Sequence, residues 1–343
     1  TEIYTLSLHD ALPIFHPRDV DVSGPWLFWA RQPGPELASS LAGLGQIVPV
    51  LADFTPDKPR LVAGYSRVMA MRGVKGATLL AQPVSLASGE GEDEDREPLP
   101  DEVRFGLSYL ASNLERRPDD AMLVAAGRYF AARLPFAEAI RLAGPYLGLG
   151  PRDRRTRDLA AWLALPGRFD ALLAAGSVTL ASAPDLAGLG EELTAVEPFL
   201  GAVRWSRNAL RNVLTFLGEA ALARGESLAA AVSRAGLAAF LDMGLSPSDL
   251  TARLQGAART ARYPRLTGLE RRFAGLSGEL ARGTRLRLSA SQGFETDAVR
   301  LTADIKSRAD LDRLLADLAL AAARPQWEQL WSLVRDAEDG HDG

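Results

Sequence analysis

The sequence predicts an α+β protein with a small mixed α/β module, a long helical region and a C-terminal strand–strand–helix unit. Three observations support this fold class. Strand-like and helix-like segments alternate between residues 37 and 86, helical spacing runs from Asp101 to about residue 282, and two runs of alternating apolar residues follow at 284–305. With 343 residues, the chain is long enough for two or three domains that each bury a core.

The composition excludes several classes of function. It is typical of a soluble globular protein, with 47% hydrophobic and 24% charged residues and no apolar run that approaches the ~20 residues of a bilayer crossing. The chain has no cysteine, which excludes disulfides, thiolate nucleophiles and thiolate metal sites. The 3 histidines lie at the two ends, which disfavours histidine-based catalysis. A net charge of −4 argues against a uniformly basic nucleic-acid binder but allows a local basic patch.

The first fourteen residues, TEIYTLSLHDALPI, resemble the conceptual translation of a sequencing-library adapter. An authentic N-terminal strand is the alternative. The segment lacks the basic start and unbroken apolar stretch of a signal peptide. We expect residues 1–14 to replace the native N-terminus, and the first predicted domain therefore spans 15–100.

The α/β module is predicted to begin with a short helix, because leucines at positions 37, 41 and 44 form one stripe and Gly45 follows as a stop. Pro49 favours an edge position for the strand that contains it. The remaining elements are predicted as strands at Ile47–Leu51, Arg60–Ala63 and Ala77–Leu86 and a helix at Tyr65–Arg72.

Residues 88–102 interrupt this pattern with eight acidic residues and one arginine, which predicts a solvated linker. Helical spacing then returns at Val103, Leu107, Leu110 and Leu114. Prolines divide the following stretch into short helices. We assign a helical domain to 101–182 and a further helical region to 183–282.

The end of the chain changes period again. Alternating residues at 284–288 and 299–305 predict a β-hairpin with a long loop. Ser307 and Asp310 match the capping pattern that opens a helix, and leucines at 311, 314, 315 and 318 share one face of that helix. The segment 283–335 therefore predicts a unit suited to pairing with a second copy.

A strand leads into a helix through a glycine in the segment LVAGYSRVMA, residues 61–70. The amides of such a helix start attract anions, and Arg67 in the first turn would add a charge-assisted contact to phosphate. Strand–glycine–helix junctions are common and most bind nothing. The segment alone therefore favours a structural role.

Three segments in order resemble the motifs of the ParB family of DNA-partition proteins, whose N-terminal domain shares its fold with sulfiredoxin. They are ELASSLAGLGQIVPV, RLVAGYSRVMAMRGVKG and YLASNLERRPDD. The resemblance implies a ParB/sulfiredoxin-like domain that holds the phosphates of CTP, with Mg²⁺ as the accompanying ion. It implies a nucleotide-binding set of Gly64, Tyr65, Ser66, Arg67, Asn113 and Arg116.

The chain departs from the family pattern at three of these positions. Gly64 and Arg67 match a Gly-Glu-Arg-Arg motif, but Tyr65 and Ser66 replace its glutamate and first arginine. Ser112 stands where the family has the acidic residue that holds magnesium. A hydroxyl supplies no carboxylate charge, and the lost arginine removes a phosphate clamp. CTP hydrolysis, the one enzymatic activity that the resemblance allows, therefore stays open, and sulfiredoxin-type reduction is excluded for want of a cysteine.

Residues 134–166 resemble the helix-turn-helix of the same family. Four arginines at 152, 154, 155 and 157 stand at the start of the second helix, where they could reach DNA phosphates or base edges. The alternative is an exposed helix face that pairs with Asp153 and Asp158. Nine further arginines lie in 253–287. They form either a second phosphate-contacting surface or an interface between domains or subunits at which they balance the negative charge of the acidic segment 88–102.

The resemblance implies a ParB-like DNA-binding protein for chromosome or plasmid partition or nucleoid-associated regulation, gated by CTP. Its expected partners are DNA, a second copy of the chain and a ParA-type ATPase, and its expected place is the nucleoid in the cytoplasm. A scaffold or regulatory interaction protein that has lost nucleotide use is the alternative, favoured by Tyr65, Ser66 and Ser112.

Overall fold

The computed structural model describes residues 12–84, 99–291 and 298–338, with residues 294 and 296 between them. These residues form sixteen α-helices, a four-stranded sheet and a two-stranded sheet, so the predicted α+β class is confirmed. The chain folds into two compact units. The first runs to Leu193 and includes Leu200–Arg207, and the second comprises Thr194–Phe199 and the chain from Asn208 onward.

The α/β module lies in the first unit. Its sheet has the order β1-β4-β2-β3, in which β2 pairs parallel with β4 and antiparallel with β3, and β1 pairs antiparallel with β4. The residues that face its core include Val50, Ala52, Leu61 and Val62. The elements in chain order are β1 (Ile14–Phe15), α1 (Pro35–Leu44), β2 (Val50–Asp53), β3 (Arg60–Ala63), α2 (Tyr65–Arg72) and β4 (Leu79–Pro83).

Several predicted elements of this module are confirmed by these bounds. β3 and α2 span the predicted residues, and α1 ends before Gly45, whose φ is 70°. β1 begins at Ile14, the last residue of the segment that resembles an adapter, and residues 1–11 lie outside the described residues. Most of the predicted acidic linker, residues 88–98, also lies outside them.

The predicted strand at Ile47–Leu51 is wrong in its first half. β2 begins at Val50, and Ile47 and Val48 are 71% and 58% exposed. The carbonyl groups of Val48 and Pro49 accept hydrogen bonds from the Arg67 side chain instead of from a neighbouring strand. β2 is an inner strand, so Pro49 precedes the sheet and does not mark an edge.

Short helices complete the first unit. The predicted helix at Asp101 is confirmed but ends at Ala111, so that Leu114 lies beyond it and is 61% exposed. The helices that follow the sheet are α3 (Asp101–Ala111), α4 (Asp120–Ala131), α5 (Phe136–Leu147), α6 (Arg154–Leu163), α7 (Asp170–Ala174) and α8 (Ala183–Ala187). The next helix is α9 (Leu193–Leu200), whose residues Thr194–Phe199 belong to the second unit.

A part-buried polar network holds α6 against α4. Arg128 on α4 donates from Nη2 to Asp170 Oδ1 and to the carbonyl of Leu165, both at 2.9 Å. The indole Nε1 of the fully buried Trp162 donates to the same Asp170 oxygen, also at 2.9 Å. Because each of these part-buried groups has a partner, the network fixes the orientation of α6.

The second unit is helical except for one hairpin. The predicted hairpin is confirmed, with Leu288 opposite Leu301, and Ser307 caps the following helix by accepting from the amide of Asp310. One hydrophobic core of the second unit contains Phe273, Leu280, Phe294, Leu330, Leu333 and Val334. The remaining elements of the chain are α10 (Arg207–Arg224), α11 (Leu228–Arg234), α12 (Leu237–Leu241), α13 (Pro247–Arg262), α14 (Pro264–Ala281), β5 (Arg287–Ala290), β6 (Val299–Thr302), α15 (Arg308–Ala322) and α16 (Gln326–Glu338).

Candidate functional site

The turn between β3 and α2 requires a glycine. Gly64 has a φ of 104°, and a Cβ at this position would lie 2.6 Å from Cγ1 of the buried Val50. A side chain would therefore be strained and would also collide with β2. The turn brings the first residues of α2 to the wall of a cavity.

This cavity has a volume of about 240 Å³ and brings together all six residues predicted to bind a nucleotide. Gly64, Tyr65, Ser66 and Arg67 approach from the β3–α2 turn, whereas Asn113 and Arg116 approach from the turn after α3. Its other lining residues are Trp29, Ala30, Arg31, Leu37, Ala63, Tyr109 and Ser112. The two motif segments, distant in sequence, thus line a single pocket.

Arg67 is held in place by its own chain. Its Nη1 donates to the carbonyl of Val48 at 2.8 Å and to that of Pro49 at 2.6 Å. Burial lowers the pKa of the Arg67 guanidinium, which nevertheless stays charged because the pKa of an arginine lies so far above neutrality. The cavity therefore has a fixed positive charge beside the α2 terminus.

The backbone carbonyls of Trp29 and Arg31 accept hydrogen bonds from other side chains of the pocket. Arg116 Nη1 donates to the carbonyl of Trp29 at 3.2 Å, and Ser66 Oγ donates to the carbonyl of Arg31 at 2.9 Å. Asn113 Nδ2 donates to the carbonyl of Tyr109 at 2.8 Å. A ligand that takes the Nη1 donor of Arg116 or the hydroxyl of Ser66 competes with these carbonyls, whereas the other N–H groups of Arg116 make no hydrogen bond to them.

This part of the pocket wall was not predicted from the sequence. The segment 24–31 contains Trp26 and Trp29, which are 3% and 4% exposed. Trp26 Nε1 donates to the Leu61 carbonyl on β3, and Trp29 Nε1 donates to the Met122 carbonyl on α4, both at 2.7 Å. The dense aromatic run PWLFW was the available signal, since such a run is more typical of a buried strap than of a linker.

The lining of the cavity does not suit Mg²⁺. It contains three arginines, Arg31, Arg67 and Arg116, and no aspartate or glutamate. Ser112 Oγ donates to the Ser108 carbonyl at 2.8 Å within α3. Magnesium in nucleotide sites is held by one or two carboxylates. Over the described residues, no three His, Cys, Asp or Glu side chains are grouped as metal ligands.

The second candidate surface is the start of α6. The buried face of this helix carries Thr156, Asp158, Leu159 and Trp162, and burial raises the pKa of the Asp158 carboxyl. The tight turn before it is closed by Thr156 Oγ1, which donates to the Gly150 carbonyl at 2.7 Å. The four predicted arginines, Arg152, Arg154, Arg155 and Arg157, all lie on the exposed side.

These arginines differ in their partners. Arg155 pairs with Asp120 of α4 at 3.0 Å, and Arg154 pairs with Asp158 at 3.8 Å. Within the described parts of the chain, Arg152 and Arg157 make no ion pair or side-chain hydrogen bond. The predicted pairing of this face with acidic residues is therefore only partial.

The arginine-rich segment 253–287 is partly used inside the second unit. Arg259 pairs with Glu270 at 2.5 Å, Arg262 with Glu219 at 2.7 Å, and Arg285 with Asp310 at 3.1 Å. These contacts tie α13 to α14, α13 to α10, and the hairpin to α15. These three of the nine arginines therefore contribute to the folding of the unit itself.

No protein-family model matches the chain, and no curated protein matches its sequence. Across the described residues, none of the helices combines the length and apolar character needed to cross a bilayer. The function must be argued from the pocket and from α6.

Proposed function

We propose that this chain is a ParB-like DNA-binding protein that serves chromosome or plasmid partition or nucleoid-associated regulation. The observation that carries the proposal is the cavity at Gly64, where both predicted motif segments meet. The order of these motifs along the sequence and their meeting in space support the same family assignment. The ParA-type ATPase partner and the nucleoid location follow from that assignment.

The α6 arginines supply the DNA contacts in this proposal. The helix presents its N-terminal turn outward, and the network at Asp170 holds its opposite face against α4. Arg152 and Arg157 are ready to take phosphates, because no partner among the described residues occupies them. Contacts of this kind position a protein on DNA and make its affinity depend on salt.

The pocket supplies the gating step. A nucleotide whose phosphates take the Nη1 donor of Arg116 and the hydroxyl of Ser66 displaces the carbonyls of Trp29 and Arg31. Trp29 is also bonded to α4, which packs against α6. A shift of residues 29–31 on nucleotide binding would thereby be transmitted to the helices of the first unit.

Dimerisation is proposed through the strand–strand–helix segment. Leu315 and Leu318 on α15 are 59% and 37% exposed, and Leu301 on the hairpin is 40% exposed. These apolar side chains suit pairing with a second copy of the chain. Sedimentation equilibrium at micromolar concentration should give the mass of a dimer for the parent chain and a lower mass for Leu315→Asp. A parent chain with the mass of a monomer, and no change of mass in Leu315→Asp, would contradict the dimer proposal.

A scaffold or regulatory protein without nucleotide use is the second candidate. The observation that favours it is the engagement of the donors of Arg67, Arg116 and Ser66 by backbone carbonyls. The two candidates differ in one measurement. Saturable binding of labelled CTP supports the gated DNA binder, and its absence supports the scaffold.

The DNA contacts are tested with the double variant Arg152→Ala/Arg157→Ala on a fluorescent duplex of mixed sequence. We expect roughly a tenfold loss of affinity, and a fall of about 2 in the slope of log affinity against log salt, because two phosphate contacts disappear. Fluorescence anisotropy at several salt concentrations measures both quantities.

The matched control is Arg18→Ala/Lys58→Ala, which removes the same charge from exposed positions in the α/β module. It should leave the salt slope within experimental error of that of the parent chain. Equal losses in the two double variants would show that net charge, and not the α6 face, governs binding.

A further inference from the structure

The charge of the pocket lining is unusually one-sided. Arg31, Arg67 and Arg116 contribute three guanidinium groups, and the lining includes no carboxylate. The nearest compensation is Asp119, which lies 3.7 Å from Arg31, but both side chains are at least 60% exposed, so solvent screens the pair strongly. The pocket therefore presents an uncompensated positive charge to its ligand.

The oxygen atoms of the lining are also poorly suited to a divalent cation. The hydroxyls of Ser66 and Ser112 donate to backbone carbonyls, and the carbonyls of Trp29 and Arg31 face Arg116 and Ser66. A cation placed here would meet three positive groups at short range without an anionic protein ligand. The electrostatics select against a metal ion and for an anion.

The arginines keep donors that a phosphate can use. In the contacts described above, Arg67 and Arg116 each use only Nη1, and a guanidinium has five N–H groups in a planar fork. Bidentate arginine–phosphate pairs neutralise charge and fix geometry at the same time. These two side chains reach the cavity from different elements, α2 and the turn after α3, so two arginines are available to the phosphates of one ligand.

We propose that this pocket binds the phosphates of its nucleotide without a divalent cation, with the arginines supplying the charge that Mg²⁺ supplies in carboxylate-containing sites. The inference rests on the proposed function, in which the pocket takes a nucleotide. It adds that nucleotide occupancy is independent of magnesium.

The test is a titration of the full chain with fluorescent CTP in buffer with Mg²⁺ and in buffer with EDTA. We expect the two dissociation constants to agree within about threefold, and Arg116→Ala to weaken binding at least about tenfold in both buffers. A loss of about tenfold or more on adding EDTA overturns the inference and leaves nucleotide binding in place. Failure to bind in either buffer removes the proposed nucleotide function as well.

A second pair of variants tests the reason for the metal independence. Ser112→Asp places a carboxylate in the lining, and Ala111→Asp adds the same charge to an exposed neighbour outside it. We expect Ser112→Asp to bind CTP at least about fivefold more tightly with Mg²⁺ than with EDTA, and Ala111→Asp to show no such difference. Equal behaviour of the two folded variants overturns the view that the missing carboxylate sets the metal dependence.

Discussion

The two arginine clusters of the first unit are built in opposite ways. In the pocket, Arg67 and Arg116 are bonded to backbone carbonyls of the same chain. At the start of α6, Arg152 and Arg157 are exposed, and neither side chain makes an ion pair or hydrogen bond with the described residues. One cluster is anchored before any ligand arrives, and the other is free.

This difference in anchoring determines which kind of ligand each arginine cluster can recognise. An anchored arginine loses little conformational entropy on binding and holds its charge at a fixed place, which suits a ligand of defined shape. A free arginine adapts to a phosphate wherever the DNA backbone presents one, which suits binding without sequence preference. Three substitutions separate these behaviours.

The largest effect is expected from Arg67→Ala. Loss of the guanidinium leaves the part-buried carbonyl of Pro49 without its donor and removes the exposed hydrogen bond to the carbonyl of Val48, and hydrogen bonds from charged groups contribute about 1.5–3 kcal/mol. We expect the free energy of unfolding to fall by about 2–3 kcal/mol, as measured by urea denaturation. Arg152→Ala is the control and should stay within about 0.5 kcal/mol of the parent chain; equal destabilisation by the two variants would remove the distinction between the clusters.

An intermediate effect is expected at Arg60, another anchored arginine, which pairs with Asp53 at 2.6 Å. Burial tends to raise the pKa of the Asp53 carboxyl, but hydrogen bonds from Thr55 and Arg60 outweigh burial and lower it overall. A carboxyl with a lowered folded-state pKa stabilises the fold above its unfolded value of about 4, and this contribution is lost as the pH falls through the folded value.

Asp53→Asn should therefore be less stable than the parent chain by about 1–2 kcal/mol at pH 7. The gap should close as urea denaturation is repeated at falling pH below about 4. Asp57→Asn, an exposed substitution nearby, serves as the control and should follow the parent chain. A gap that stays constant down to pH 2 would show that the ion pair is not its source.

The smallest effect is expected from Arg155→Ala, because this arginine combines features of both clusters. It is 46% exposed on α6 and pairs with Asp120, which also accepts from the amide of Leu180 at 2.8 Å. We expect a loss of about 0.5 kcal/mol in stability and of about twofold in DNA affinity. A loss of DNA affinity as large as that of the Arg152/Arg157 double variant would mean that Arg155 leaves Asp120 to contact DNA.

Local signals explain which parts of the fold were predictable. The turn at Gly64, the start of α15 at Ser307 and the β5–β6 hairpin depend on residues close in sequence, and their patterns predicted them. The set of residues predicted to bind a nucleotide came from a family resemblance, and these residues line one cavity.

Long-range contacts explain the failures. Ile47 and Val48 have strand-like composition, but the neighbouring carbonyls are taken by Arg67, 18 and 19 residues away. Trp29 bonds to Met122, 93 residues away, and the aromatic run around Trp29 indicates burial but does not identify this partner. The wall of the pocket formed by residues 29–31 therefore emerged only from the structure.

The segment 24–31, which we call the aromatic strap, also determines where a folded fragment of this protein can begin. The family resemblance begins at residue 36, and a fragment that starts there loses the indoles of Trp26 and Trp29 and the ring of Phe28, which lies 5.1 Å from Tyr109 and 5.2 Å from Tyr129. Such a fragment would bare apolar surface on both the sheet module and the helices and would be prone to aggregate. The smallest autonomous piece that contains the pocket thus includes the strap, and its boundary is set by packing and not by sequence motifs.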